Sequence, residues 1–215
     1  MKKRIVSLLF AILFVISPLT LTAFAADGSQ DSAVADIYLC SNWSGFPSLG
    51  HVWIYIENTS DENLTVGKYN LPSGEGVSVG TFALTRDDGA GIYYNIEAYC
   101  GNKYNMDTFI YLKKSINKSQ LDSISNKILS HNFWDPIIFN CAEFAAGCWN
   151  AAGGSFIFPV TVFPVFTRIQ IKAHSYGSDK KMFYPDRENV YKQRGSGSSA
   201  YLEVVSDGSV DSVPG

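Results

Sequence analysis

The chain has 215 residues, a formal net charge of −3 and an apolar fraction of 46%. This length and apolar content suit one globular domain with a substantial core. The first 25 residues hold three of the 17 basic residues and none of the 20 acidic ones, so the remainder carries a net charge near −6. Adjacent basic pairs remain only at Lys113-Lys114 and Lys180-Lys181. Because phosphate backbones are bound by clustered cations, this composition excludes a nucleic-acid partner.

The chain begins with the three-part pattern of a secretory signal peptide. Lys2-Lys3-Arg4 precede an apolar run over residues 5–16, and Ala23-Phe24-Ala25 fits a cleavage site. The apolar run is shorter than the ~20 residues that a membrane-spanning helix needs. We therefore expect residues 1–25 to be removed on export and the rest to have no membrane span. The mature protein is then secreted or associated with the cell envelope.

A polar, flexible lead over residues 26–35 is followed by short strand-like segments. Six segments rich in β-branched and aromatic residues are separated by loops of glycine, proline, asparagine and aspartate. The predicted strands are Ile37–Cys40, His51–Asn58, Leu64–Leu71, Val77–Leu84, Ile92–Tyr99 and Thr108–Lys113. Short strands at this spacing indicate an antiparallel sheet.

Two helices are predicted after the last strand. The first has an apolar stripe at helical spacing beyond Ser115, with Asn117 or Ser119 as its cap. The second begins near Asn140 and ends at Gly153-Gly154, because glycine is the usual helix terminator.

These elements place the chain in the α+β class, as an antiparallel sheet with packed helices. The domain is expected to span residues 36–188 and to be a monomer. Residues 189–215 are poor in core-forming side chains and include Gly195-Ser-Gly-Ser-Ser199, so we expect a mobile tail there.

Four cysteines in an exported chain suggest disulfide bonds at first. Cys141 and Cys148 lie in one predicted helix, about 10 Å apart, which is too far for a bridge. Cys40 and Cys100 flank the strand region and either pair or stay as free buried thiols. No Cys-x-x-Cys or His-x-x-x-His spacing occurs, so neither a metal site nor a cofactor is predicted.

Cys141 and His51 have the positions best suited to chemistry. Cys141 begins the second helix, where backbone N–H groups and the helix dipole favour a thiolate, whereas Cys148 lies in mid-helix. His51 opens a strand, a rigid platform for an imidazole base, and neither His131 nor His174 does so. A thiol with an imidazole base is the pair used in covalent catalysis. The alternative is that both are ordinary buried residues.

A third group is expected to orient the imidazole. In a hairpin of the second and third predicted strands, His51 faces Tyr69 and the adjacent Asn70, and either side chain then reaches the ring. Otherwise a backbone carbonyl orients it. Backbone N–H groups at Asn140 and Cys141 are expected to hold the oxyanion that forms when a carbonyl is attacked.

Four short pieces of the chain carry a family resemblance through their order and spacing. They are Gly50-His51 with the alternating apolar residues after it, Asn140-Cys141 with Phe144 and Ala145, Trp149-Asn150, and Phe163-Pro164-Val-Phe-Thr-Arg-Ile169. With the histidine ahead of the cysteine, this arrangement resembles the circularly permuted branch of the NlpC/P60 superfamily of papain-like cysteine hydrolases. The chain departs from that pattern in lacking an obvious polar third residue on the strand after the histidine.

The resemblance implies a permuted papain-like fold and thiol-based hydrolysis or acyl transfer at an amide or ester carbonyl. For an exported bacterial protein the first substrate to consider is a peptidoglycan stem peptide, with host or competitor proteins as alternatives. The expected partner is thus a peptide or acyl substrate, and no cofactor is implied. The alternative function is a catalytically inactive secreted binding or structural module with the same fold.

Overall fold

The computed structural model describes residues 32–42, 50–83, 90–103, 108–133, 139–155, 157, 163–182 and 189–205. These residues belong to one compact unit that begins at Asp31. The predicted signal peptide and most of the predicted lead lie outside the described residues. Within the described ranges, no helix is long and apolar enough to cross a membrane.

Within these ranges, nine strands form a large antiparallel sheet and a separate small one. Their bounds are β1 Ala35–Asn42, β2 His51–Asn58, β3 Leu64–Val66, β4 Tyr69–Leu71, β5 Gly76–Ala83, β6 Ala90–Tyr94, β7 Phe109–Ile116, β8 Tyr191–Arg194 and β9 Tyr201–Val204. The large sheet has seven strands in the order β7-β1-β2-β5-β6-β8-β9, and β3 pairs only with β4. All pairings are antiparallel, which confirms the predicted sheet type and the α+β class.

The described residues form four α-helices that accompany the sheet. They are α1 Ile96–Lys103, α2 Lys118–Leu129, α3 Cys141–Ala151 and α4 Pro164–Lys172. Both predicted helices are confirmed in α2 and α3. Asn117 caps α2 in a reciprocal capping box with Gln120, which identifies Asn117 and not Ser119 as the cap.

The apolar residues divide between the two faces of the large sheet. One face carries Ile37 and Leu39 of β1 with Ile54 of β2, and it packs in the main core against the apolar sides of α2 and α3. On the opposite face the alternating residues form an aromatic cluster that includes Tyr38 and Trp53. Alternation along β2 places His51 on this second face with Trp53, because residues two apart point the same way.

Residues 64–71 form a hairpin in place of the single strand predicted there. Gly67 has a φ of 59°, in the left-handed region, and it turns the chain between β3 and β4. The Gly67 N–H donates to Ser125 Oγ at 3.1 Å, which attaches this hairpin to α2. β2 pairs with β1 and β5 and not with β3 or β4, so the predicted hairpin partner of β2 was wrong.

The predicted strand over residues 92–99 was wrong in its second half. β6 ends at Tyr94, Asn95 follows with a φ of 67°, and α1 begins at Ile96. Asparagine tolerates this left-handed conformation better than most residues, so Asn95 switches the chain from strand to helix within one residue.

The end of the described chain contributes to the sheet, where the sequence indicated a mobile tail. β8 pairs with β6, and β9 pairs with β8. Gln193 is 1% exposed, and its side-chain amide donates to the carbonyl oxygens of Ile128 and His131 and accepts from the Tyr94 hydroxyl. These hydrogen bonds of a buried polar side chain attach β8 to the rest of the domain. The prediction of a mobile tail considered only apolar residues and therefore did not include them.

Candidate functional site

Cys141 is the first residue of α3, as predicted, and lies at the end of the helix that Asn140 caps. The Asn140 side-chain oxygen accepts from the Ala142 N–H at 2.9 Å and from the Glu143 N–H at 3.2 Å. These bonds satisfy the second and third N–H groups of the helix and fix the entry of the chain. Cys141 is 7% exposed, so its thiol lies just below the surface.

His51 is held at the start of β2 by its backbone and by its ring. Its N–H donates to Asn42 Oδ1 at 3.0 Å, which ties the end of β1 to the start of β2. The ring stacks on Trp53 with centroids 5.6 Å apart and contacts Phe82 at 4.2 Å. The His51 side chain is 18% exposed. The two ring contacts restrict its orientation.

The structure brings His51 and Cys141 together, although 89 residues separate them in the chain. The Cys141 thiol lies close enough to the His51 ring to affect its pKa through charge and hydrogen bonding. Burial alone lowers the pKa of His51, but the charge and hydrogen bond of Cys141, together with Glu97, raise that pKa from 6.5 to about 9. An imidazolium beside a sulfur is the environment that stabilises a thiolate.

Glu97 is the third member of this cluster, and the sequence analysis missed it. Its Oε1 lies 3.2 Å from His51 Nε2, and its Oε2 accepts from the Ser78 hydroxyl at 2.7 Å. The side chain is 4% exposed. Because a carboxylate oxygen accepts hydrogen bonds, this contact favours the tautomer with its proton on Nε2, which leaves Nδ1 as the ring nitrogen able to exchange a proton with a nucleophile.

A glycine makes room for the pair of His51 and Glu97. A Cβ added at Gly80 would lie 1.8 Å from Glu97 Oε1 and 3.3 Å from His51 Nε2. Gly80 lies on β5, which pairs directly with β2. Any larger residue at this position must displace the carboxylate from the ring.

Tyr69 and Asn70 are placed away from His51, so the predicted third group needs correction. Both residues belong to the β3–β4 hairpin, where Tyr69 pairs with Val66. The Tyr69 hydroxyl accepts from Asn95 Nδ2 at 3.3 Å. The prediction assumed that the next strand along the chain pairs with β2, and that register is not the one observed.

Glu97 left a weak signal in the sequence. It stands between Ile96 and Ala98, two residues after Asn95, in an otherwise apolar stretch. A lone acidic residue in an apolar segment is seldom buried without a partner, so it is a candidate for a polar contact in the interior. Because residues 92–99 were predicted to be one strand, the start of α1 at Ile96 was not expected.

The Asn140 side chain occupies two of the N–H groups near the predicted oxyanion site. Its bonds go to the N–H groups of Ala142 and Glu143 and not to that of Cys141. Both predicted donors, the backbone N–H groups of Asn140 and Cys141, stay predictions. Asn140 is the residue that caps the helix.

The other three cysteines differ from Cys141 in their surroundings. Cys40, Cys100 and Cys148 are all buried and none of them forms a disulfide bond, so the alternative of a bond between Cys40 and Cys100 is not realised. Burial raises the pKa of the Cys148 thiol well above its ordinary value. Cys148 thus matches the prediction of an inert helix cysteine.

The remaining histidines lie outside the cluster. His131 stacks on Phe139 with centroids 4.3 Å apart, and His174 is exposed. In the part of the chain that the structure describes, no group of three or more histidine, cysteine or acidic side chains is arranged to hold a metal ion.

No family model, no curated protein and no solved structure matches this chain.

Proposed function

We propose that this protein is a thiol hydrolase or acyl transferase that acts on an amide or ester bond through Cys141, His51 and Glu97. The observation that carries this proposal is the position of the His51 ring, which contacts both the Cys141 thiol and the buried Glu97 carboxylate. A nucleophile, a base and a group that orients the base are the three parts that covalent catalysis requires.

The reaction proceeds in two halves. His51 holds the proton of the Cys141 thiol, and the sulfur electron pair forms a bond to the carbonyl carbon of the substrate. The Cys141 N–H donates to the resulting oxyanion. When the tetrahedral intermediate collapses, the bond to the leaving amine or alcohol breaks and the imidazolium returns the proton to that group. A thioester with Cys141 remains.

The second half releases the enzyme. Neutral His51 takes a proton from water, and the hydroxide attacks the thioester carbonyl. Collapse expels the sulfur, and the carboxylic acid leaves. If an amine or alcohol takes the place of water, the same steps transfer the acyl group. Glu97 holds Nε2–H throughout, so the ring keeps its orientation as Nδ1 gains and loses its proton.

We also propose that the fold is a permuted papain-like fold and that the substrate is exposed at the cell envelope. The support is the order of the site along the chain, with a histidine that opens a strand ahead of a cysteine that opens a helix. The signal-like first 25 residues support export. A peptidoglycan stem peptide is the substrate to examine first.

Selective alkylation tests this function. At neutral pH, iodoacetamide is expected to label Cys141 at least tenfold faster than a free cysteine peptide, because the neighbouring His51 can take the thiol proton as the sulfur attacks. The rate at Cys141 in His51→Gln should fall by a factor of ten or more. Mass spectrometry separates Cys141 from the buried Cys148, which serves as an internal control. Slow labelling of Cys141 that does not change in His51→Gln would indicate a binding module without turnover.

A further inference from the structure

A groove of about 580 Å³ is lined by the start of β7, by α4 and by residues 178–181. Phe109 of β7 and Arg168 of α4 form part of its wall. Asp179, Lys180 and Lys181 line the other side. The groove is therefore formed by three separate parts of the chain and carries more positive than negative charge.

The groove is adjacent to His51 across the sheet. Phe109 pairs with Asn42, and Asn42 pairs with His51, so the three residues form one row across β7, β1 and β2. With strands spaced at about 4.8 Å, the row places Phe109 about 10 Å from His51. The Phe109 ring also packs on Trp53 at 5.3 Å, and Trp53 stacks on His51. An extended peptide covers about 10 Å with three residues.

Two of the charges in the groove are already compensated. Lys180 Nζ lies 2.6 Å from Glu57 Oε1 and also contacts the rings of Tyr38 and Tyr55. Asp179 Oδ1 accepts from the Tyr111 hydroxyl at 2.7 Å. These contacts hold the wall of the groove in place. Because Lys180 is already paired with a carboxylate, Arg168 is the cation to consider for binding a ligand.

Arg168 has a neutral partner. Its Nη1 donates to the Ser41 carbonyl oxygen at 2.6 Å, and across the described ranges no carboxylate lies within ion-pair distance of its guanidinium. Burial lowers the pKa of Arg168, although the group stays charged at neutral pH. A partly buried guanidinium with one carbonyl contact keeps donors for a further acceptor.

We propose that this groove binds a carboxylate of the substrate through Arg168, two or three residues from the bond that Cys141 attacks. The inference rests on the proposed function and adds the substrate class, an acidic peptide or an acyl group that bears a carboxylate. The planar guanidinium matches a carboxylate in two-point geometry, and the exposed Lys181 adds positive charge at the rim. Arg168 lies on α4, which packs against α3, so the subsite and the Cys141 helix are held together.

Matched alkylating peptides test the subsite. Iodoacetyl-glycylglycine and its triglycine homologue, each as free acid and as amide, carry the same reactive group and differ in one terminal charge. The acids are expected to alkylate Cys141 roughly tenfold faster than the amides, as for a charge-assisted contact in a partly solvated groove. In Arg168→Gln the ratio should fall to about one. Arg168→Lys keeps the charge without the two-point geometry and should give an intermediate ratio.

Lys172→Gln provides the control, because it removes a positive charge from the same helix at an exposed position outside the groove. It should keep the ratio of the unaltered protein. Circular dichroism of each variant shows whether the fold is retained. Equal rates for acid and amide in the unaltered protein, or an unchanged ratio in Arg168→Gln, would overturn the subsite.

Two further measurements separate this inference from the proposed function. Iodoacetamide, which has no carboxylate, should label Cys141 equally fast with and without Arg168, and failure of that labelling refutes the nucleophile and not the groove. Acetyl-triglycine acid and amide can then be compared by equilibrium binding to Cys141→Ser. The acid is expected to bind roughly tenfold more tightly, and this preference should be lost with Arg168→Gln. Equal binding of the two peptides would contradict the subsite.

Discussion

At the scale of single residues, the His51 ring is governed by two opposing effects. Burial among Trp53 and Phe82 disfavours its charge, whereas Cys141 and Glu97 favour it, and the balance raises its pKa to about 9. A structural histidine with a single carbonyl partner would show only the first effect. The direction of the pKa shift therefore reflects the proximity of the ring to Cys141 and Glu97.

Gly80→Ala is predicted to separate Glu97 from His51 while the fold is retained. The new Cβ would lie 1.8 Å from Glu97 Oε1, the far end of a side chain that can move. Without the carboxylate the pKa of His51 falls, and a loss of one pKa unit lowers the ratio of the thiolate–imidazolium pair to the neutral thiol–imidazole pair about tenfold. We expect alkylation of Cys141 to slow by about this factor, as measured by mass spectrometry.

Glu97→Gln supplies the comparison for this change. Because Gly80→Ala and Glu97→Gln remove the same contact, the double variant should react no more slowly than Glu97→Gln alone. Effects that multiply in the double variant would show that Gly80 acts through something other than the carboxylate.

At the scale of elements, the first turn of α3 has two roles: its cap stabilises the helix, and it positions the Cys141 sulfur. Asn140 bonds two N–H groups in the first turn, and the same turn carries Cys141. Loss of the cap frees that turn to fray, and the sulfur then leaves its position beside the imidazole. The cap of α2, provided by Asn117, lies in another helix and offers an internal comparison.

Asn140→Ala is predicted to lower the free energy of unfolding by about 1 kcal/mol, the usual contribution of a helix cap. Asn117→Ala should have a similar effect on stability. Only Asn140→Ala is expected to slow alkylation of Cys141, because only that cap positions the sulfur. Urea unfolding gives the first quantity and peptide mapping the second. Equal reactivity in both variants would show that the cap has no role at the site.

The sequence predicted the positions of strands and helices more reliably than it predicted which strands pair and which side chains meet. His51 and Cys141 were recognised because each opens an element, which is a local property of the chain. Glu97 was missed because Asn95 changes strand to helix at a positive φ, and alternation of residue types does not reveal that. Tyr69 was favoured because adjacent strands usually pair, whereas Gly67 bends the chain into its own hairpin.

At the scale of the whole molecule, the order of strands in the sheet creates the site. β5 lies between β2 and β6, so α1 after β6 delivers Glu97 to the face on which His51 lies. No local pattern predicts this order, since it depends on long-range pairing. The same holds for β8 and β9, whose anchor is the buried Gln193.

The site also affects stability as a function of pH. The folded pKa of His51, about 9, exceeds the ordinary value of 6.5. Since the folded state holds this proton more tightly, the contribution of His51 to stability is complete below pH 6.5 and is lost as the pH rises towards 9. This contribution comes from Cys141 and Glu97 and therefore depends on the intact cluster.

An NMR titration of His51 tests the central claim most directly. The chain has three histidines, and the His51 signal is the one that disappears in His51→Gln. We predict a midpoint of about 9 in the unaltered protein, and a midpoint at least one unit lower in Cys141→Ser, because burial then acts against the charge with less opposition. A midpoint at or below 6.5 that does not change in Cys141→Ser would contradict the pairing of His51 with Cys141.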